Sequence, residues 1–170
     1  MIYSTEGVGM TIYWKRLVLS LMLFLGISIL ALDIHYTEGK SGMEGWEKNS
    51  EYNKLYDTSE ADRIKGVVVE IKVVNPLPGM APGLALIVKD SAGELVTVHL
   101  GPKSFINLNT IGISKGDKLK IKGVWAEIGE DDVFMASKLR KGDSAQYKVR
   151  RTSDGTPYWS MSAEELAREQ

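Results

Sequence analysis

The stretch LALIVKDSAGELVTVHL, residues 84–100, decides the fold class. Leu84, Leu86 and Val88 occupy one face, the run stops at Asp90, and Ser91 to Glu94 supply a turn before Val96, Val98 and Leu100 resume the alternation. A period of two marks a half-buried strand, and a short turn of small residues joins two of them into a hairpin. Thr97 and His99 fall on the face opposite the core. Upstream, GVVVEIKVV (66–74) is β-branched and places Val67, Val69, Ile71 and Val73 together. The Pro/Gly-rich loop NPLPGMAPG (75–83) separates it from the hairpin. Downstream, KSFINLNTIG (103–112) has Phe105, Leu108 and Ile111 at helical spacing, which predicts a short helix or turn over one end of the fold. KLKIKGVWAEI (118–128) alternates again, with Leu119 and Ile121 inward and Lys118, Lys120 and Lys122 outward, and GEDD (129–132) turns it into VFMASKL (133–139). QYKVRR (146–151) adds a short edge strand. Five strands with a helical element between the third and fourth predict an all-β, five-stranded OB-fold-like barrel over residues 63–161.

The N-terminal part is organised differently. LVLSLMLFLGISILAL (17–32) carries no charge, and Ile12, Tyr13 and Trp14 extend it, while Lys15 and Arg16 are placed to reach headgroups. At 1.5 Å rise per residue the core of this segment spans about 24 Å. A single transmembrane signal-anchor is expected over 15–32, preceding the barrel and following a short cytoplasmic N-terminus (1–14) in which Met1 or Met10 is the initiator. The alternative is a cleavable signal peptide ending at Ile29-Leu30-Ala31, where the bulky isoleucine disfavours cleavage. Lys15 and Arg16 before the span, against Asp33, Glu38 and Glu44 after it, direct the C-terminal domain out of the cytoplasm. Residues 33–62 hold three bases and eight acids without a sustained period, and read as an acidic tether. Ser162 to Glu165 has the S-x-x-E capping form, opening a short charged helix over 162–170 that is expected to fray.

Composition narrows the chemistry. The net charge of −1 over 170 residues lacks the basic excess of a DNA-packaging protein, although residues 63–161 carry 15 bases against 10 acids. With no cysteine, disulfides, thiolate zinc sites, iron–sulfur clusters, haem attached through C-x-x-C-H and a cysteine nucleophile are excluded. Only His35 and His99 remain as imidazoles. No G-x-S-x-G elbow, phosphate loop, H-E-x-x-H or dinucleotide loop is present, so a non-enzymatic protein without a cofactor is expected. Single-strand binders of this fold stack bases on aromatics of the second and third strands, and residues 84–90 and 95–100 contain none. Nucleic acid is therefore not the expected partner.

Alternating lysines at 118, 120 and 122 would meet phosphates or other anions, but they also keep an exposed or edge strand soluble, and the solubility reading is favoured. His99 alone has too few companions for a transition-metal site and reads as a surface hydrogen-bonding residue. Glu127, Glu130, Asp131 and Asp132 sit at a hairpin tip, where solvated charge is ordinary. Met80 is either an adaptable contact or a plug for the barrel mouth, and Trp159 is expected to fold back over an apolar end. The candidate binding residues are thus Met80, His99, Lys118, Lys120, Lys122, Arg150, Arg151 and Trp159, with no metal ligand among them.

Several short runs carry a resemblance. YNKLYD (52–57), GVVVEI (66–71), PGM (78–80), VHLGP (98–102), KGD (115–117), KIKG (120–123), ASKLRK (136–141) and DGTPYW (154–159) are similar to segments of bacterial exported OB-like domains, most of them uncharacterised. Related OB-like domains occur in magnetosome-associated proteins that affect magnetite growth and in proteins encoded beside c-type cytochromes. The resemblance implies a similar barrel and an exported location, and together with the span read from the N-terminal sequence it gives a single-pass protein of the bacterial inner membrane whose C-terminal domain faces the periplasm or the lumen of an inner-membrane organelle. The expected role is a binding or assembly module toward membrane or extracytoplasmic proteins, and the resemblance implies magnetosome biomineralisation or a membrane redox complex as the process it serves. Any electron transfer would belong to a partner, because the haem motifs of the redox-active relatives are missing here. Two alternatives stay open: a small-ligand, metal or anion binder, and a single-stranded nucleic-acid binder.

Overall fold

The computed structural model describes residues 42–143 and 145–169. The expected cytoplasmic N-terminus, the signal-anchor over 15–32 and the first part of the tether, 33–41, lie outside the described residues. Among the described residues no helix is long and apolar enough to cross a membrane.

The chain is mostly β. Strands β1 (Ala61–Val74), β2 (Gly83–Asp90), β3 (Leu95–Pro102), β4 (Lys118–Ile128), β5 (Asp131–Lys141) and β6 (Ala145–Lys148) form one sheet in the order β3-β2-β1-β4-β5-β6. Neighbours in that order are antiparallel, and a short parallel pairing of Val98 with Phe134 and His99 with Met135 joins β3 to β5. That extra pairing closes β1 to β5 into a ring and leaves β6 on its flank. The helices are short: α1 (Glu51–Lys54), α2 (Leu108–Ile111) between β3 and β4, and α3 (Ala163–Arg168), with 3₁₀ turns at Thr58–Glu60 and Tyr158–Ser160.

The hairpin read from residues 84–100 supplies the inside of the ring. Leu86, Val88, Val98 and Leu100 are buried with Leu119, Ile121, Phe134 and Leu139 in one apolar core. The first strand departs from its expected pattern. Ile64 and Val68 point inward, whereas Ile71 and Val73 are 38% and 54% exposed. The cause is length and a bulge: β1 begins at Ala61, its pairing with β4 ends at Val67, and its register with β2 shifts between Val68 and Glu70. A bulge adds one unpaired residue and changes the face that follows. After it, Ile71 and Val73 share a face with Leu86 and Leu84, beyond the part of the ring that β4 closes. Near α2, Ile106 and Ile113 enter the core and Phe105 stays 36% exposed.

Two glycines let strands approach. A Cβ on Gly66 would strike the Lys89 carbonyl, and one on Gly123 would strike the Met135 carbonyl and the Phe134 ring. Backbone cannot yield as a side chain can, so both positions need the missing side chain.

The expected tether is corrected over its described part. Residues 42–60 form a strap packed on the outer side of β4 and β5, because the segment segregates its side chains: Trp46 and Tyr52 are buried while Glu47, Glu51 and Glu60 face water. Trp46 and Tyr52 join Met80, Ala81, Val124, Val133 and Met135 in a second apolar cluster. The acidic count hid this packing, since a few aromatics set the burial and the acids only decorate the outside. The C-terminal helix is likewise not frayed. Ser162 and Glu165 form the reciprocal capping box, and Glu169 is tied to Arg151 at 2.7 Å and by its carbonyl to Lys148 Nζ at 2.7 Å.

Candidate functional site

Two constellations gather the residues singled out from sequence. The first is a sealed end built by the strap, β3 and the segment after β6. Arg150 is only 2% exposed, and its guanidinium lies 4.7 Å from the centre of the Trp159 ring, 5.2 Å from Tyr56 and 5.9 Å from Tyr52. It donates to the Gly155 carbonyl at 3.3 Å, and among the described residues no carboxylate forms an ion pair with it. Burial lowers its pKa, and the neighbouring tyrosines oppose that effect. An arginine side chain nevertheless stays charged, so this is a buried cation solvated by aromatic faces.

His99, expected at the surface, belongs to the same centre. It is 6% exposed, because the strap covers the face of β3 that the alternation had left outside. Tyr52 Oη and His99 Nδ1 are 3.2 Å apart. Burial pushes the Tyr52 hydroxyl up to about 12, partly offset by Arg150, and holds His99 down at about 4 with Arg150 adding to the shift. Both groups are therefore neutral near pH 7, and one proton is shared between the Tyr52 hydroxyl and Nδ1, its direction set by the His99 tautomer. Met80 is buried at 7% exposure and plugs the strap cluster, which makes it unsuitable as an exposed contact. Trp159 folds back over this end, donating through Nε1 to the Trp46 carbonyl at 2.7 Å. Arg151, next to the buried Arg150, turns outward and pairs with Glu169 and Asp154.

The second constellation is a basic face. Ile64 and Ile121 pair on the inside, so the residues flanking them, Arg63 opposite Lys122 and Lys65 opposite Lys120, stand on the outside. The next strands continue both rows: Lys122 faces Lys138 and Lys138 faces Lys148, while Lys120 faces Arg140. Lys118 opposite Val67, itself opposite Lys89, begins a third row. Burial holds the Lys138 ammonium below the usual lysine range, with Lys122, Lys148, Arg140 and Arg63 adding repulsion. The lysines at 118, 120 and 122 do not guard an edge, because β4 is hydrogen-bonded to β1 on one side and β5 on the other. Sequence reading missed Arg63, Lys65, Lys138, Arg140 and Lys148 as companions, since no single strand contains the array. The hairpin-tip acids behave differently: among the described residues no three acidic or imidazole groups converge as a metal ion would need.

The family model for the MamS/MamX magnetosome proteins matches residues 60–146, just over half of the 170. The chain belongs to the MamS/MamX magnetosome protein family. No curated protein matches it. Membership fits a magnetosome-related role and a membrane-associated or organelle setting. The matched residues of this MamS/MamX chain run from the position before β1 to the second residue of β6, so they include His99, Met80 and the basic rows as far as Arg140. Trp46, Tyr52, Arg150 and Trp159 lie outside the matched span.

The sealed end makes stability depend on acid in a defined window. The His99 pKa is about 4 when folded and 6.5 in the reference state, so between those values the unfolded chain binds more protons. Stability therefore rises with pH through that window and is lost as pH falls from 6.5 toward 4, by up to about 3 kcal/mol. Urea unfolding of the wild type at pH 7.0, 5.5 and 4.5 is expected to report this loss. His99→Gln is expected to flatten the dependence in that window, leaving the acid limb of the carboxylates below it.

Proposed function

We propose that the protein is a non-enzymatic, membrane-anchored extracytoplasmic module whose OB-type barrel binds and organises partner proteins of the magnetosome, in biomineralisation or in a membrane redox assembly. The observation that carries this reading is the combination of a filled ring and a charged exterior. The interior is packed with apolar side chains and the strap end is sealed by aromatics around Arg150, while cations crowd the outside of β1, β4, β5 and β6. A ring filled in this way offers partners its surface rather than a chamber. The anchor over 15–32 and the orientation out of the cytoplasm are part of the proposal and rest on the N-terminal sequence.

The test is crosslinking in native membranes with the full chain tagged at its C-terminus, reading the intact mass of the recovered chain in the same sample. Full-length mass together with reproducible protein partners is the expected result. A chain shortened near Ala31 that brings down no protein would overturn it. The second reading, a small-anion binder, is favoured by one feature: a hollow of about 390 Å³ lined by Arg63, Lys65, Lys120, Lys122, Lys138 and Arg140. Saturable quenching of tryptophan emission by inorganic phosphate would support that reading.

A further inference from the structure

We propose that the outside of the β1–β4 seam is a docking trough for an extended acidic polypeptide segment of a partner protein, which rests on the assembly reading above and names the surface it uses. Three adjoining hollows of about 350, 390 and 530 Å³ follow the seam from Ala61 to Val67. Arg63 and Lys122 form the wall shared by the first two, and Lys65, Lys120 and Arg140 the wall shared by the second and third. At a strand rise of about 3.3 Å per residue the trough is roughly 20 Å long, the reach of an extended segment of about six residues.

The charge pattern asks for a counter-ion. Like charges directly opposite each other across strands are destabilising, and here they recur in both rows across β1, β4 and β5, which have no edge to protect. The middle hollow has no carboxylate in its lining, and the acids sit at the ends: Asp62 at one, Asp90 and Asp143 at the other, with Asp143 3.7 Å from Arg140. The spacing selects the partner. Cations on β1 and β4 repeat every second residue, about 6.6 Å, and an extended chain places its own alternate side chains at the same interval on one face. Glutamates or aspartates at i, i+2 and i+4 would thus meet Arg63, Lys65 and the lysines of β4 in register.

Two other polyanions fit less well. The middle and far hollows have no aromatic side chain on which a base would stack. A planar headgroup surface reaches the exposed cations Arg63, Lys65, Lys120 and Arg140 but not the half-buried Lys122, Lys138 and Lys148, which a narrow extended chain lying in the hollows can meet.

The test uses the full chain in a neutral detergent and fluorescein-labelled ten-residue peptides of alternating Glu-Ser and Gln-Ser. Saturable binding of the Glu-Ser peptide alone is expected, weakening steeply between 50 and 300 mM salt as the pairs are screened. Lys120→Gln with Lys138→Gln should weaken it about tenfold. The same double variant should unfold at an equal or higher urea concentration, since repulsion is relieved, which separates a binding role from a structural one. Lys103→Gln with Lys115→Gln, away from the trough, should bind like the wild type. Equal loss in both double variants, or tighter binding of a thymidine decanucleotide or of vesicles containing phosphatidylserine, would overturn the proposal. If the peptide binds through Lys120 and Lys138 while crosslinking recovers no protein, the assembly reading fails and the trough stands. If partners are recovered equally by wild type and the Lys120/Lys138 variant and the peptide does not bind, the trough fails and the assembly reading stands.

Discussion

Trp46→Ala is expected to lower the stability of the chain by about 4 kcal/mol, the middle of the range for deleting a large buried aromatic. Trp46 is fully buried and serves three connections at once. Its indole N–H donates to the Ala81 carbonyl at 2.9 Å, and its own carbonyl accepts from Trp159 Nε1 at 2.7 Å and from Asn53 Nδ2 at 2.9 Å. Its ring packs edge-on to Tyr52 at 4.8 Å and to Trp159 at 5.8 Å. Alanine keeps the backbone carbonyl but leaves a cavity against Gly83, whose missing side chain is what admits the ring. Trp46→Phe is expected to cost less, about 1–2 kcal/mol, chiefly for the Ala81 carbonyl left without its donor. Urea midpoints of the two variants measure the difference, and limited proteolysis checks its location, with new cleavage expected between residues 42 and 60. A Trp46→Ala chain that unfolds at the wild-type urea concentration would remove the strap from the account of stability.

Arg150→Ala is expected to cost about 3 kcal/mol, and Arg150→Met less than half of that. Breaking a buried pair strands the opposite charge, but among the described residues Arg150 has no carboxylate to strand. Its contribution is volume among Tyr52, Tyr56 and Trp159, hydrogen bonding to the Gly155 carbonyl and toward the Tyr52 hydroxyl, and the attraction of aromatic faces for a cation. Methionine restores most of the volume and keeps favourable contacts with the rings. Alanine restores neither. Equilibrium unfolding of both variants decides: if methionine costs as much as alanine, the cation and not its bulk holds this end together. Removing Arg150 also removes one of the two causes that depress the His99 pKa, so in both variants the folded-state pKa should move up toward 6.5 and the share of the acid loss that His99 contributes should shrink.

Much of the β framework was legible in the sequence. The alternation in 84–100 and 118–139 put Leu86, Val88, Val98, Leu100, Leu119 and Ile121 inside, and they are buried there. Period-2 patterning survives in the structure because a side chain's face on a strand is a local property. The run 66–74 misled for the same local reason: a bulge at Val68 to Glu70 is set by how two strands fit together, and no residue within the run announces it. The strap was illegible because the eight acids spread over residues 33–62 outweigh Trp46 and Tyr52 in composition but not in packing.

The candidate site divides along the same line. Lys118, Lys120 and Lys122 were visible as a stripe, and the sequence alone made them outward-facing. Whether a stripe is a soluble edge or part of an array depends on its neighbours, and only the pairing of β4 with β1 and β5 brought Arg63, Lys65, Lys138 and Arg140 beside it. His99 and Arg150 changed most, from surface residues to the centre of a sealed aromatic cluster. Sequence determined which residues alternate, where turns fall, that cysteine chemistry is absent and that the barrel segment carries more bases than acids. Tertiary structure decided which charges lie side by side and which polar groups lose their water, because burial and Coulomb interaction depend on distances between segments far apart in the chain.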